Sequence, residues 1–248
     1  MTNMNSRGLR VHVFLAGKGI GSRRFCEELI RKNLVKINGK VAKLGDRVIL
    51  GDSVKYKRHI FVFKESGLKN KVYIALNKPK NYLCANFDPS GRKLAISLVQ
   101  PLFSERLFSI GRLDFKSSGL LLFTNDGQFA NSIVHPRGEV EKEYIVEAKR
   151  DIDENLLINF KRGIKIDKEI FKLKSYTILS NNSVRLVLTE GKNREIRKVF
   201  LSRNIFLNKV HRIRIGNIKL DNLKEGHIGV VPLSRVNKLK LKLLRGAK

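Results

Sequence analysis

The residue types best suited to chemistry gather around one aspartate. Asp114 stands in Gly111-Arg112-Leu113-Asp114-Phe115-Lys116-Ser117-Ser118-Gly119, after a short apolar approach, Leu107–Ile110. An unbroken apolar run, Leu120–Phe123, follows and is closed by Asn125-Asp126-Gly127. Such a run ended by a tight turn predicts a strand buried on both faces. Asp114 therefore lies on a loop that enters a core strand. A loop aspartate is ordinarily a turn former, but a single carboxylate on an ordered loop can also act as nucleophile or as general base. A paired-carboxylate or metal site has less support. No second acid occupies an equivalent motif, and the five His do not fall at ligand spacing.

The elements that position this loop follow from periodicity. Lys71-Val72-Tyr73-Ile74-Ala75-Leu76-Asn77-Lys78-Pro79 opens the larger part of the chain, with a strand over Val72–Leu76 that Pro79 stops. A short helix is expected over Ser97–Leu102. Gln128–Val134 reads as a helix ended by His135-Pro136. Glu143–Ala148 alternates as a strand. Asp153 caps a helix over Glu154–Arg162 that ends at Gly163. Val184–Thr189 is a strand, Asn193–Arg203 a helix with Ile196, Val199 and Phe200 inward, and His211–Ile215 a strand with Arg212 and Arg214 on its polar side. Strands and helices alternate irregularly, so the fold class is α+β with a mainly antiparallel sheet flanked by helices.

The N-terminal part reads differently. Residues 1–8 are polar and expected to be mobile. Leu9–Ala16 is a short helix with Leu9, Val13 and Ala16 on one face. Ser22 caps a second helix, Arg23–Lys32, with Cys26, Leu29 and Ile30 inward. Val35–Ile37 and Lys40–Val41 flank Asn38-Gly39, a type I′ hairpin signal. Asp46–Tyr56 predicts a further strand pair turning at Gly51-Asp52. The domain boundaries read as 1–60 for a small helix-and-hairpin unit, 61–70 for a linker, 71–237 for the large domain and 238–248 for a basic tail, either an arm or a last helix.

Composition points to the partner. Of 248 residues, 51 are Lys or Arg against 22 Asp or Glu, a net charge of +29, which predicts a polyanion and first of all nucleic acid. Cys26 and Cys84 form no CxxC pair and fit a reducing compartment. The first residues lack an apolar h-region, and no run of about 18 apolar residues exists, so the expected location is cytoplasmic, with no membrane partner.

The stretch over residues 111–127 resembles the catalytic motif of pseudouridine synthases, Gly-Arg-Leu-Asp followed by Ser/Thr-Gly-Leu-Leu. Ser117 stands where threonine is more usual, and both carry a hydroxyl. Ala16-Gly17-Lys18-Gly19-Ile20-Gly21-Ser22-Arg23-Arg24, Glu28-Leu29-Ile30-Arg31 and Val35-Lys36-Ile37-Asn38-Gly39-Lys40 resemble an S4 RNA-binding domain. Together they resemble the bacterial ribosomal RNA branch of that family, with the S4 domain in front. Leu120-Leu121-Leu122-Phe123-Thr124-Asn125-Asp126-Gly127 and Glu190-Gly191-Lys192-Asn193-Arg194-Glu195-Ile196-Arg197 lie nearer to its large-subunit members.

The resemblance implies roles. Asp114 is the catalytic aspartate, as nucleophile or as base. Tyr144, in Glu141-Lys142-Glu143-Tyr144, is the tyrosine that packs on the flipped uracil. Arg197 is the basic residue that pairs with Asp114, which answers a physical need: near RNA phosphates a carboxylate tends to protonate unless a guanidinium holds it charged. Arg112 assists base extrusion or binds phosphate. Arg23, Arg24, Arg31, Lys32, Lys36 and Lys40 form the basic S4 face, and Arg194 and Lys198 contact the RNA backbone. The implied reaction turns uridine into pseudouridine with the same base retained, so no redox or group-carrying cofactor and no metal is expected. The implied substrate is 23S rRNA or a ribosomal precursor particle, met by a monomer. Two alternatives stay open: a small-subunit (16S) rRNA enzyme, and a non-catalytic S4-type protein of ribosome assembly.

Overall fold

In the computed structural model, residues 8–64 and 71–246 are described; the expected mobile start and most of the expected linker lie outside them. The chain divides into two compact units, Met1–Asn70 and Lys71–Lys248. No described helix is long and apolar enough to cross a membrane.

The first unit contains β1 (Leu9–Arg10), α1 (Val11–Gly17), α2 (Arg23–Arg31), β2 (Val35–Ile37), β3 (Lys40–Val41), β4 (Arg47–Val48), β5 (Ser53–Tyr56) and β6 (His59–Val62). Ser22 caps α2 as expected, its Oγ accepting the Phe25 N–H at 3.1 Å. Asn38 and Gly39 both have positive φ, 47° and 83°, as a type I′ hairpin demands. Three expectations are corrected. Leu9 and Arg10 are not helical but pair with Val48 and Arg47, so α1 starts at Val11 and buries Val11, Phe14 and Leu15. Asp46–Tyr56 is no hairpin, because β4 pairs with β1 while β5 lies between β2 and β6. The stretch read as linker begins as strand: β6 runs to Val62, and Phe63 sets its ring edge-on to Phe14 at 5.4 Å. A short segment beside a preformed edge gains ladder hydrogen bonds that local composition does not reveal.

The second unit is built on a nine-stranded sheet. Its elements are β7 (Tyr73–Lys78), β8 (Phe108–Ile110), β9 (Ser118–Thr124), α3 (Gly127–Val134), β10 (Lys142–Ala148), α4 (Glu154–Arg162), β11 (Ile164–Ile166), β12 (Glu169–Phe171), β13 (Ser175–Ser180), β14 (Ser183–Leu188), α5 (Glu195–Leu201), β15 (Leu207–Ile215), β16 (Ile218–Lys219), β17 (Ile228–Val230) and α6 (Leu233–Gly246). The strand order is β13-β14-β10-β15-β9-β7-β17, with β16 paired to β15 and β8 to β9. The one parallel pairing joins β15 to β9 at the centre. There Gly119, at φ +101°, faces Arg212; a Cβ at Gly119 would stand 2.2 Å from the Arg212 carbonyl oxygen. Only glycine permits so close an approach of two backbones.

β9 is buried along its whole length, as its apolar run predicts. The helix expected over Ser97–Leu102 is instead two 3-10 turns, Ala95–Leu98 and Gln100–Leu102, since Pro101 interrupts an α pattern. The basic tail is a packed helix rather than a free arm. Val236 and Leu239 of α6 are buried in the core, and Lys240 donates to Asp126 Oδ2 at 3.0 Å.

Candidate active site

The centre of the sheet assembles the site from four separate segments. Residues 111–117 link β8 to β9 and end in a turn where the Ser117 N–H donates to the Asp114 carbonyl at 3.0 Å. Asp114 stays partly open, with its side chain 30 % exposed. Across the central strands Tyr144 of β10 stands in register with Arg212 of β15. That ladder shifts register between Glu143 and Tyr144, an irregularity of the kind that re-aims a side chain beside a site. Leu188 ends β14, and the following turn, Thr189–Arg194, leads into α5 and carries Arg197 toward Asp114.

Arg197 is the cation that faces Asp114. Its Nε lies 4.0 Å from Asp114 Oδ2, while Nη2 donates to the Lys116 carbonyl at 3.0 Å and to Ser117 Oγ at 3.4 Å. One guanidinium thus holds the loop backbone and faces the carboxylate it presents. Burial lowers the affinity of Arg197 for its proton, and the charge of Asp114 counters that. A guanidinium stays protonated under such pulls, so it sets a positive field at Asp114.

Arg212 is the second cation, and reading β15 as a strand with a solvated polar side missed it. It is buried, donates from Nε to the Leu120 carbonyl at 2.7 Å, and from Nη1 to the Arg112 carbonyl at 3.4 Å and Tyr144 Oη at 3.5 Å. Its Cζ is 5.9 Å from the Tyr144 ring centroid, within cation–π reach. Arg197 Nε and Arg212 Nη2 are buried donors with no hydrogen-bond partner among the described residues. Both belong to residues lining a cavity of about 320 Å³ shared with Asp114, Tyr144, Lys142 and Glu195. That volume lies at the lower end of small-molecule sites, ~300–1,000 Å³.

Burial shifts three further titratable groups to which the sequence assigned no role. Lys142 donates to the Thr189 carbonyl at 2.8 Å; burial, then Arg212, push its ammonium down to about 8. Glu195, at the start of α5, accepts the Lys192 N–H at 3.2 Å, and burial pushes its carboxyl up to about 7. Lys78, fully buried at the end of β7, donates to the Pro79 carbonyl at 2.8 Å. Burial brings Lys78 down to about 8, with Cys84 and Asp114 pulling the other way. In the sequence Lys78 ends an apolar strand before Pro79, while Lys142 and Glu195 stand among other charged residues, so a solvated face explains them equally well.

The expected binding residues divide. Arg112 is exposed and lines the cavity, and exposed Arg194 lines it too, at a left-handed φ of 51° just before α5. Lys198 does not join them; its Nζ binds Glu169 at 3.0 Å and sits over the Phe171 ring at 5.3 Å. In the first unit Arg23, Arg24, Arg31, Lys32, Lys36 and Lys40 are all exposed, with Lys32 paired to Glu28 at 2.9 Å.

Known proteins share both units. The family described as RNA pseudouridylate synthase matches residues 72–202, and the S4 domain family matches residues 9–54. An RNA pseudouridine synthase of Borreliella burgdorferi is 73% identical over 234 residues, 94% of each chain. A ribosomal large subunit pseudouridine synthase B of Yersinia pestis is 35% identical over 219 residues, 86% of this chain and 69% of that one. A crystal structure of a pseudouridylate synthase superposes with a TM-score of 0.67 at 29% identity, covering 94% of this chain and 100% of the other.

Proposed function

The chain belongs to the RNA pseudouridylate synthase family, and from that premise we propose that it isomerises a uridine of 23S rRNA, with Asp114 as the acting carboxylate. The observation that carries the reading is the Asp114–Arg197 pair, 4.0 Å apart, in one cavity with Tyr144. In the reaction the C1′–N1 bond breaks, C1′–C5 forms, C5 gives up a proton and N1 takes one, so the base leaves and returns by another atom. A uracil turned in this way must leave its stack and needs a pocket and a stacking surface. The cavity supplies room, and the Tyr144 ring the surface. Asp114 acts on the ribose, Arg197 holds its loop and faces it with a fixed positive charge, and Arg112 at the rim meets the backbone of the extruded nucleotide. The large-subunit assignment draws on relatives named for that subunit, such as the Yersinia pestis protein. The S4 unit docks its basic face on structured rRNA of the naked chain or a precursor particle, in the cytoplasm and as a monomer.

The test is conversion of uridine in full-length 23S and 16S transcripts and in precursor particles, read by pseudouridine mapping with chelator present and no added cofactor. Wild type should convert a 23S uridine, and Asp114→Asn should convert none while binding at least as tightly, since a negative charge leaves a phosphate-rich site. Conversion of 16S rRNA alone would move the protein to the small-subunit branch. Tight binding without conversion of any substrate would make it an assembly factor.

A further inference from the structure

The loop between β7 and the 3-10 turn at Ala95 is fastened to the Asp114 loop at two points. The Asn81 N–H donates to the Phe115 carbonyl at 2.7 Å, and the Leu113 N–H donates to Cys84 Sγ at 3.3 Å. Its neck is closed where Leu83 bridges Leu94, with the Leu83 N–H donating to the Lys93 carbonyl and the Ala95 N–H to the Leu83 carbonyl, both at 2.8 Å. Its tip is braced by Asp88, which accepts Arg92 Nε at 2.9 Å, Nη2 at 2.6 Å and the Arg92 N–H at 2.9 Å. Bidentate pairs of this kind fix geometry as well as charge. On this braced tip Phe87 is 78% exposed.

A phenyl ring that an ordered loop holds in water has its face free for a partner, and what surrounds it says which partner. Phe87 is three residues beyond Cys84, so its backbone lies within ~11 Å of the anchor on the Asp114 loop. The exposed charged side chains nearby in the chain and on that loop are all cationic: Lys80, Arg92, Lys93, Arg112 and Lys116. Asp88, the one acid between residues 80 and 93, is held by Arg92. An aromatic face beside cations that outnumber the nearby acid suits a base whose phosphates the cations neutralise.

We infer that Phe87 is a stacking platform for an unpaired nucleobase flanking the target uridine, and that residues 81–95 position the RNA strand at the cavity mouth. The inference rests on Asp114 marking the reacting nucleotide. It adds a positioning residue outside the cavity, with the ring reading an unstacked base and the braced loop fixing its distance from the site.

The experiment uses the full chain and a 23S transcript. Phe87→Ala should raise KM about tenfold, the scale of one lost base–aromatic stack, with kcat held within about twofold. Phe87→Trp and Phe87→Tyr should keep wild-type KM, while Phe87→Leu should behave as Phe87→Ala because it keeps apolar area without a π face. Unchanged melting temperatures exclude misfolding, as expected for so exposed a ring. Phe87→p-benzoylphenylalanine should crosslink to nucleotides flanking the converted uridine. Wild-type KM for Phe87→Ala, full rescue by leucine, or crosslinks only to protein would each overturn the inference while leaving the proposed reaction standing. If wild type converts no uridine, the reaction proposed above fails; a crosslink at one defined unpaired stretch would still support the platform, and no RNA crosslink would end it.

Discussion

Arg197 faces Asp114 without hydrogen-bonding it: the guanidinium Nε stops 4.0 Å from Oδ2, while Nη2 is engaged by the Lys116 carbonyl of the same loop. The cation therefore aims the loop and supplies charge, yet leaves the carboxylate oxygens open toward the cavity. A lysine keeps the charge but has no rigid fork with which to serve two targets. Arg197→Lys should lower kcat by about 100-fold or more, the cost of misplacing a reacting group by roughly 1 Å, with RNA affinity nearly unchanged. Single-turnover conversion alongside filter binding measures both, and wild-type kcat for the lysine variant would refute the aiming role.

The close approach of β9 and β15 at Gly119 leaves no room for a side chain there. A Cβ there meets the Arg212 carbonyl oxygen at 2.2 Å and the Arg212 nitrogen at 2.7 Å, and φ is +101°. Backbone atoms cannot swing aside as a side-chain tip can. Gly119→Ala should cost more than about 3 kcal/mol or prevent folding, by strain at a special φ and overpacking. Urea unfolding of the purified variant checks this; a loss under about 1 kcal/mol would mean the two strands separate easily.

Glu195 makes stability depend on pH. Its carboxyl is pushed up to about 7 by burial, above the unfolded value near 4.3. A raised acid contributes stability that is fully present below the unfolded value and is lost as pH rises through the folded one. Glu195→Gln removes this loss while keeping an acceptor for the Lys192 N–H. The variant should match wild type near pH 4 and exceed it above pH 7 by up to about 3 kcal/mol. Chemical denaturation at both pH values decides it; a difference that stays constant with pH would mean that the Glu195 charge is not what costs stability.

The C-terminal helix is latched through Asp126. Burial opposes ionisation there, but hydrogen bonds from Lys240, Tyr73, the Phe129 N–H and Lys71 hold the carboxyl well below the usual carboxylate range. A depressed acid contributes stability present above the unfolded value, near 3.9, and lost as pH falls through the folded one. Lys240→Met takes away one of two lysines, so about 1–3 kcal/mol should go at pH 7, less than for stranding a buried charge outright. Acidification below pH 4 should narrow the gap between variant and wild type. Identical urea midpoints at pH 7 would show that α6 holds without the latch.

What the sequence by itself determined was the local and the strongly patterned. The run Leu120–Phe123, closed by Asn125-Asp126-Gly127, read as a doubly buried strand, which places the Asp114 loop at the entry to the core, and β9 is buried along its length. Ser22, Asp153 and Asn38-Gly39 announced caps and a turn through chemistry confined to a few neighbouring residues. Tertiary structure decided which strands became neighbours, and with that which side chains met. Arg212 looked like one polar position of an alternating strand; the parallel pairing of β15 with β9 buried it behind Tyr144. β1 and β6 carried no strand signal of their own and form by pairing with β4 and β5. The basic tail carried no sign of Asp126, more than a hundred residues away, whose buried carboxylate fixes Lys240 and folds α6 onto the core. The physical reason is common to all three. Capping and turn energies act over three or four residues, whereas strand pairing and burial of a charge depend on partners that only the folded chain brings within reach.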